Sequence, residues 1–162
     1  LVESEDKEGL LLAYRGCDDM YTNPNYITDH PSMVGALGLI PNDRIEPSKF
    51  RKTLDKVYEV WDFKSMWGWD FAVMAMTETR LGYAEKAMDI LMMDTYKNQY
   101  YINGHNFQVS RPDLPVYLPG NGSLLIAIAL MIAGYPGSEE LPGIPKNGQW
   151  KVKYENIYPL PF

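Results

Sequence analysis

The ten residues from Leu124 to Ala133 are apolar without a break and follow on Pro119-Gly120-Asn121-Gly122-Ser123. Such a run must be buried in protein or lie in lipid, and its length decides between the two. Crossing a bilayer as a helix takes about 20 apolar residues, so no membrane span is expected and a short core helix remains. The glycines in front of the run do not make a phosphate loop. A dinucleotide fingerprint needs a third glycine where Leu125 stands, and a phosphate loop needs a lysine that is absent nearby. The stretch reads as a Gly-Asn-Gly turn opening into an inner helix.

Other helices follow from periodicity. After Pro47, the residues Phe50, Leu54, Val57, Tyr58 and Trp61 make one apolar stripe with charges around it, so a surface helix with one buried face is expected. From Trp67 to Leu81 the first half is apolar on nearly every side, and only Thr77 to Arg80 read as solvated. That helix should point inward at its N-terminal end. Gly82 stops it, and Ala84 to Lys97, with Ala84, Ala87, Met88, Leu91 and Met92 on one stripe, makes its partner in an αα-hairpin. A shorter helix is expected in HPSMVGALGLIP, with Pro31 at its first position and Pro41 closing it.

Between these lie less regular pieces. The first dozen residues read as the end of a helix, and Tyr14 to Asp29 as an ordered loop. Asn98 to Pro119 reads as a long structured loop of a kind that is more often functional than decorative. The organisation is helical through residue 135, followed by a Pro- and Gly-rich tail from 136 to 162. Trp150, Val152 and Tyr154 alternate there as one strand or an extended arm. The class is mainly α.

Composition narrows the partners. A net charge of −6 without a basic cluster argues against nucleic acid and anionic membranes. Twelve tyrosines and four tryptophans in 162 residues suit a large aromatic interior or a carbohydrate-facing surface. Cys17 stands alone, so no internal disulfide forms. With two histidines and one cysteine a zinc site of usual composition is not expected, and Asp18, Asp19, Asn23 and Asn25 lack calcium-loop spacing. No metal and no cofactor are expected. The chain begins at Leu1 without a signal region and reads as a processed piece or part of a longer product.

Four segments, DHPSMVGALGLIPNDRI, WGWDFAVMAMTETRLGYAEKAMDIL, NGHNFQ and YLPGNGSLLIAIALMIAG, occur in this order. In order and spacing they resemble the last helices of the six-hairpin glycosidases. The nearest likeness is to glycoside hydrolase family 95, the α-L-fucosidases and α-L-galactosidases, with a more distant one to family 65, the disaccharide phosphorylases and hydrolases. The likeness covers roughly Asp29 to Gly134. It implies helical hairpins forming part of an (α/α)6 toroid with a short extended C-terminal tail, an incomplete ring of at most five helices. It implies a carbohydrate substrate, a general-acid glutamate upstream of Leu1 in a missing N-terminal part of the barrel, and a periplasmic or secreted location. In family 95 the segment matching Leu118 to Ser123 carries an aspartate that acts as base. Here the matching position is Pro119.

Glycoside hydrolysis needs two carboxyl groups flanking the bond. With Pro119 unable to serve, the candidate base is Asp70, placed by WGWD in the first turn of an inward-pointing helix among Trp67, Trp69 and Phe71. The same position also suits a plain helix cap. Asp29 and His30, just before Pro31, form a second candidate pair for substrate binding. The resemblance supports His30, since family 95 has a histidine-bearing segment here that reaches the sugar, and a cap is again the alternative. His105, with Asn103, Asn106 and Gln108, offers amides able to donate to and accept from hydroxyls. Asn121 is the side chain of the turn expected to face sugar, its glycosylation sequon reading as accidental. Trp67 and Trp69 could supply a stacking platform, or simply core. The expected function is a glycoside hydrolase fragment using paired carboxylates, with little activity on its own. The alternatives are a non-catalytic carbohydrate-binding or scaffold domain, and a disaccharide phosphorylase.

Overall fold

The computed structural model describes residues 4–40 and 43–161, and it is mainly α. The helices are α1 (Pro24–Ile27), α2 (Gly35–Gly38), α3 (Pro47–Val60), α4 (Gly68–Arg80), α5 (Ala84–Leu91) and α6 (Leu118–Ala133). A 3₁₀ turn, Ser32–Val34, leads into α2. One two-stranded antiparallel hairpin, β1 (Gln99–Tyr100) with β2 (Asn106–Phe107), pairs Gln99 with Phe107 and Tyr100 with Asn106.

The centre of the molecule is α4, buried from Gly68 to Thr79 apart from Trp69. It packs against α2, α5 and α6. Gly38 lets α2 come close, since a Cβ there would sit 2.7 Å from the Val73 carbonyl and 2.5 Å from Thr77 Oγ1. The stripe of α3 enters the core as its spacing predicts, with Phe50, Leu54 and Val57 fully buried and Trp61 at its C-terminal edge. Pro47 occupies the first turn of α3, where its missing N–H costs nothing. Gly82 takes φ +82° between α4 and α5, a left-handed conformation open to glycine, and so makes the expected αα-hairpin.

Several expectations are corrected. The first described residues are not helical: from Ser4 onward the chain makes a tight loop closed by an antiparallel bridge between Glu5 and Leu11, and residues 1–3 lie outside the described residues. The Asp6 carboxylate captures the N–H groups of Glu8 and Leu10, and Gly9 turns at φ +77°. Within the loop from Tyr14 to Asp29, Pro24 starts the single turn α1, capped by Asn23. Pro31 precedes the 3₁₀ turn as its cap rather than opening a helix, and Pro41 lies outside the described residues.

Thr77, Glu78 and Thr79 are not solvated but buried. Thr77 Oγ1 donates to Val34 O, Thr79 Oγ1 donates to Ala75 O, and Glu78 Oε2 pairs with Arg51, so each of the three residues has a partner inside. Helix α5 stops at Leu91, six residues before Lys97, because the Asn98 amide turns back and donates to the carbonyls of Leu91 and Met93. Ile90 is buried where Met92 was expected, and Met92 is exposed.

The residues LPGNG are not a turn. They form the first turn of α6, with Pro119 among its first positions. The tail forms no strand among its described residues; it folds back on α6 as an arm. Gly143 N donates to Met131 O, Leu160 N donates to Gly134 O, and Ile144 is buried. No described helix is long and apolar enough to cross a membrane.

Candidate functional site

The start of α4 gathers most of the residues singled out from the sequence. Trp67 is extended, at φ −96° and ψ 159°, and its N–H donates to Asp70 Oδ2 at 2.8 Å. Asp70 therefore reaches back over the first turn in a capping arrangement, where the helix dipole favours its negative charge. Its carboxylate also meets His30, whose Nδ1 lies 3.0 Å from Oδ1 and 2.9 Å from Oδ2. Asp70 is only 4% exposed.

His30 is fixed from its own side. The Asp29 carboxylate accepts the His30 backbone N–H at 2.8 Å, and the Asp29 carbonyl accepts from Trp61 Nε1 at 2.6 Å. The core residue Trp61 thus pins the loop that carries the imidazole. On its far edge, His30 Nε2 is 3.8 Å from Asp29 Oδ1. One half-buried imidazole consequently stands between a buried carboxylate and one whose side chain is 68% exposed.

Electrostatics make this pair titratable together. The hydrogen bond to Asp70 raises the pKa of His30, with the charges of Asp70 and Asp29 adding and burial opposing. Burial raises the pKa of Asp70, opposed by the hydrogen bond and charge of His30 and by the Trp67 N–H. The two groups lie close enough to titrate as a coupled pair. Trp69 Nε1 also approaches His30 Nδ1, at 3.0 Å, with the rings perpendicular and 5.1 Å apart. A single ring nitrogen cannot donate to Asp70 and accept from Trp69 at once, so the two contacts belong to different tautomers or charge states of the imidazole.

Trp67 carries the other half of the site. The Lys97 ammonium lies 4.2 Å from its ring centroid, and Arg111 Cζ lies 5.7 Å away. The Tyr117 ring is 5.3 Å away at 45°. A cation held over the indole takes the place where a sugar would stack, so Trp67 serves as a support for charge rather than as an open platform. Burial lowers the pKa of Lys97, and the nearby Arg111 charge lowers it further.

The remaining candidates lie on the β1–β2 hairpin and the start of α6. Asn106 is fully buried: its Nδ2 donates to Lys97 O and Gln99 O, and its Oδ1 accepts from Gln108 Nε2. Asn106 is therefore a structural hub, and its amide is not available to a sugar. Asn121 Oδ1 accepts from the Asn106 N–H and Asn121 Nδ2 donates to Gly104 O, tying α6 to the hairpin. His105 is exposed at the hairpin tip, its backbone N–H held by Asn103 Oδ1.

Two glycines make this junction possible. A Cβ on Gly68 or Gly120 would fall 2.3 Å or 2.4 Å from Asn106 Oδ1. The buried amide is clamped between the N-termini of α4 and α6.

Sequence reasoning missed Lys97 and Tyr117 as site residues and did not connect Arg111 to Trp67. Lys97 was expected on α5, and the signal that would have moved it is Asn98, whose side chain ends that helix. A separate cavity of about 540 Å3 lies between α5, α6 and the arm, lined by apolar residues such as Leu91, Ile128, Ile132 and Trp150. None of the His30–Asp70 group lines it. Among the described residues no three His, Cys, Asp or Glu side chains converge as a metal site would need. Compared with known proteins, the chain matches no protein-family model, no curated protein and no solved structure.

Proposed function

We propose that this chain is part of an (α/α)6-barrel glycoside hydrolase, and that the His30–Asp70 pair belongs to its sugar-facing end. The observation that carries the reading is the buried Asp70 carboxylate, joined at 2.9 Å to a half-exposed imidazole in an aromatic setting. Paired-carboxylate hydrolysis needs one ionised carboxylate to activate water. Both Asp70 oxygens are occupied, so Asp70 acts as base through His30, which meets water or the sugar. Proton exchange with solvent runs along His30 toward exposed Asp29. The general acid comes from the remainder of the barrel, and the enzyme acts in the periplasm or outside the cell.

The ring architecture is supported by α6. Leu118 and Leu125 are 66% and 68% exposed on the side opposite the buried Ala127 and Leu130, and Ile126, on the flank between, is 46% exposed. A helix apolar all round is ordinarily covered all round, and further helices of a ring would cover this face.

The test is titration of the 162-residue chain with a panel of oligosaccharides, followed by indole fluorescence, together with an aryl-glycoside assay. Binding is expected to fall about tenfold or more in His30→Ala, the loss of one charge-assisted contact. Hydrolysis by the chain alone is expected to stay near background. A native hydrolysis rate, or no response to any sugar, would sink the reading. A non-catalytic carbohydrate-binding role is favoured by Pro119, which leaves the start of α6 without a carboxylate. It would show as sugar binding unchanged by Asp70→Asn.

A further inference from the structure

We propose that the site reads an acidic group on its glycan, with Lys97 and Arg111 as the cations that hold a sugar carboxylate or sulfate beside Trp67. This rests on the sugar-facing assignment of the His30–Asp70 end.

The argument begins with charge. The chain has 21 Asp and Glu against 15 Lys and Arg, yet two cations gather over one indole. Lys97, 6% exposed as a whole residue, presents its ammonium to Trp67 and forms no ion pair among the described residues. The nearby Asp70 is already engaged by His30 and the Trp67 N–H. Arg111 gives Nε and Nη2 to Asp113 at 3.0 and 2.8 Å, leaving Nη1 without a partner among the described residues.

Two cations on one ring repel each other, and a cation–π contact needs only one of them. The fold nevertheless holds both. Gln108 Nε2 donates to Lys97 O at 3.2 Å, while the Gln108 carbonyl accepts the Arg111 N–H at 2.7 Å. Gln108 is itself 2% exposed, so one buried residue sets the backbone of both cations, that of Lys97 through its side-chain amide and that of Arg111 through its main-chain carbonyl. An ammonium fixed in advance, partly desolvated and unpaired among the described residues, beside a guanidinium with one nitrogen left over from its carboxylate, suits an anionic ligand group. The planar guanidinium and the point-like ammonium suit an oxyanion approached from two sides.

Oligosaccharides of one length are compared as neutral, uronate-bearing and sulfated forms, titrated into the full chain by indole fluorescence and calorimetry at low and physiological salt. Carboxyl-reduced and desulfated versions distinguish the two acids. The acidic forms are expected to bind about tenfold more tightly than the neutral one, with the advantage shrinking at higher salt. Lys97→Met and, separately, the exposed Arg111→Gln should each erase most of that advantage of acidic over neutral forms.

Equal affinity for neutral and acidic forms, or an advantage that survives both variants, overturns the proposal while the sugar-facing reading stands. Inorganic phosphate or sulfate competing as strongly as the acidic glycan overturns it as well, because the anion is then not carried by the sugar. Absence of any glycan binding overturns both. Far-ultraviolet circular dichroism verifies folding, and Arg111→Gln keeps the test open should Lys97→Met not fold.

Discussion

Replacing Asn106 by alanine tests the central structural claim, that one buried amide joins α4, α6 and the hairpin. The native side chain is fully buried and makes three hydrogen bonds of 2.8 to 3.2 Å. Alanine leaves Gln99 O without its side-chain donor and halves the partners of Gln108 Nε2, while Lys97 O keeps Gln108. Each buried polar group left short costs about 1–3 kcal/mol. The gap between Gly68 and Gly120, which neither glycine can fill, adds roughly 1 kcal/mol. With each group at the low end, the sum is about 3 kcal/mol, or a fall in Tm of at least about 6–12 °C for a chain of this size. Urea unfolding followed by circular dichroism measures it. Asn106→Asp sharpens the result, because it keeps the shape and the acceptor but aims a second oxygen at two carbonyls. It should cost more than alanine at neutral pH and recover as the pH falls and the carboxyl gains a proton. A loss below about 1 kcal/mol for alanine, or an aspartate variant without pH dependence, would refute the hub.

The Arg51–Glu78 pair should respond unequally to its two deletions. Glu78 is fully buried while the Arg51 side chain is 15% exposed and also pairs with Asp55 at 2.8 Å. Arg51→Met strands a buried carboxylate and should cost about 3–5 kcal/mol; Glu78→Gln should cost less, and equal losses in urea unfolding would contradict this. His30 carries a pKa raised by Asp70, so its stabilisation is fully present below about pH 6.5, the ordinary histidine value. That stabilisation is lost as the pH rises through the raised value. The stability difference between the native chain and His30→Gln should therefore shrink from acidic toward alkaline pH, and a constant difference in urea midpoints would refute the dyad. Gly143→Ala would place a Cβ 2.4 Å from Met131 Cγ and 2.8 Å from Met131 Cα. The arm from residue 136 should lift from α6 and be cut faster by trypsin at Lys146 and Lys151.

Local pattern was enough wherever one residue's neighbours along the chain decide its place. The stripe of α3, the Gly82 stop and the hairpin of α4 with α5 are all of this kind. Pattern failed where a distant partner changes the cost of burial. Thr77 is buried because it bonds to a carbonyl 43 residues away, and no window around Thr77 contains that carbonyl. The glycines of LPGNG read as a turn on propensity. They are helical because Gly120 must pass the Asn106 amide, a packing demand that outweighs helix propensity. The site divides in the same way. Asp70 and His30 were each legible as polar residues at helix starts, whereas their contact spans 40 residues. Lys97 was hidden by a helix end that a single side chain, Asn98, decides.

Helix α4 holds two buried carboxylates, and their partners separate them in kind. Arg51 keeps its charge at any pH the fold survives, so Glu78 faces a permanent cation. His30 can lose its proton, so Asp70 is coupled to solvent pH. The sequence spacing also bears on mechanism. Asp70 and Glu78 are eight residues apart on α4, roughly 12 Å along the axis at 1.5 Å per residue. Carboxyl groups that act together on a glycosidic bond stand about 5–9.5 Å apart. Glu78 is therefore too distant, and too enclosed, to serve as the partner of Asp70. In the proposed hydrolase the second carboxyl group must approach His30 from outside α4, across the end of the molecule where Trp67, Lys97 and Tyr117 lie.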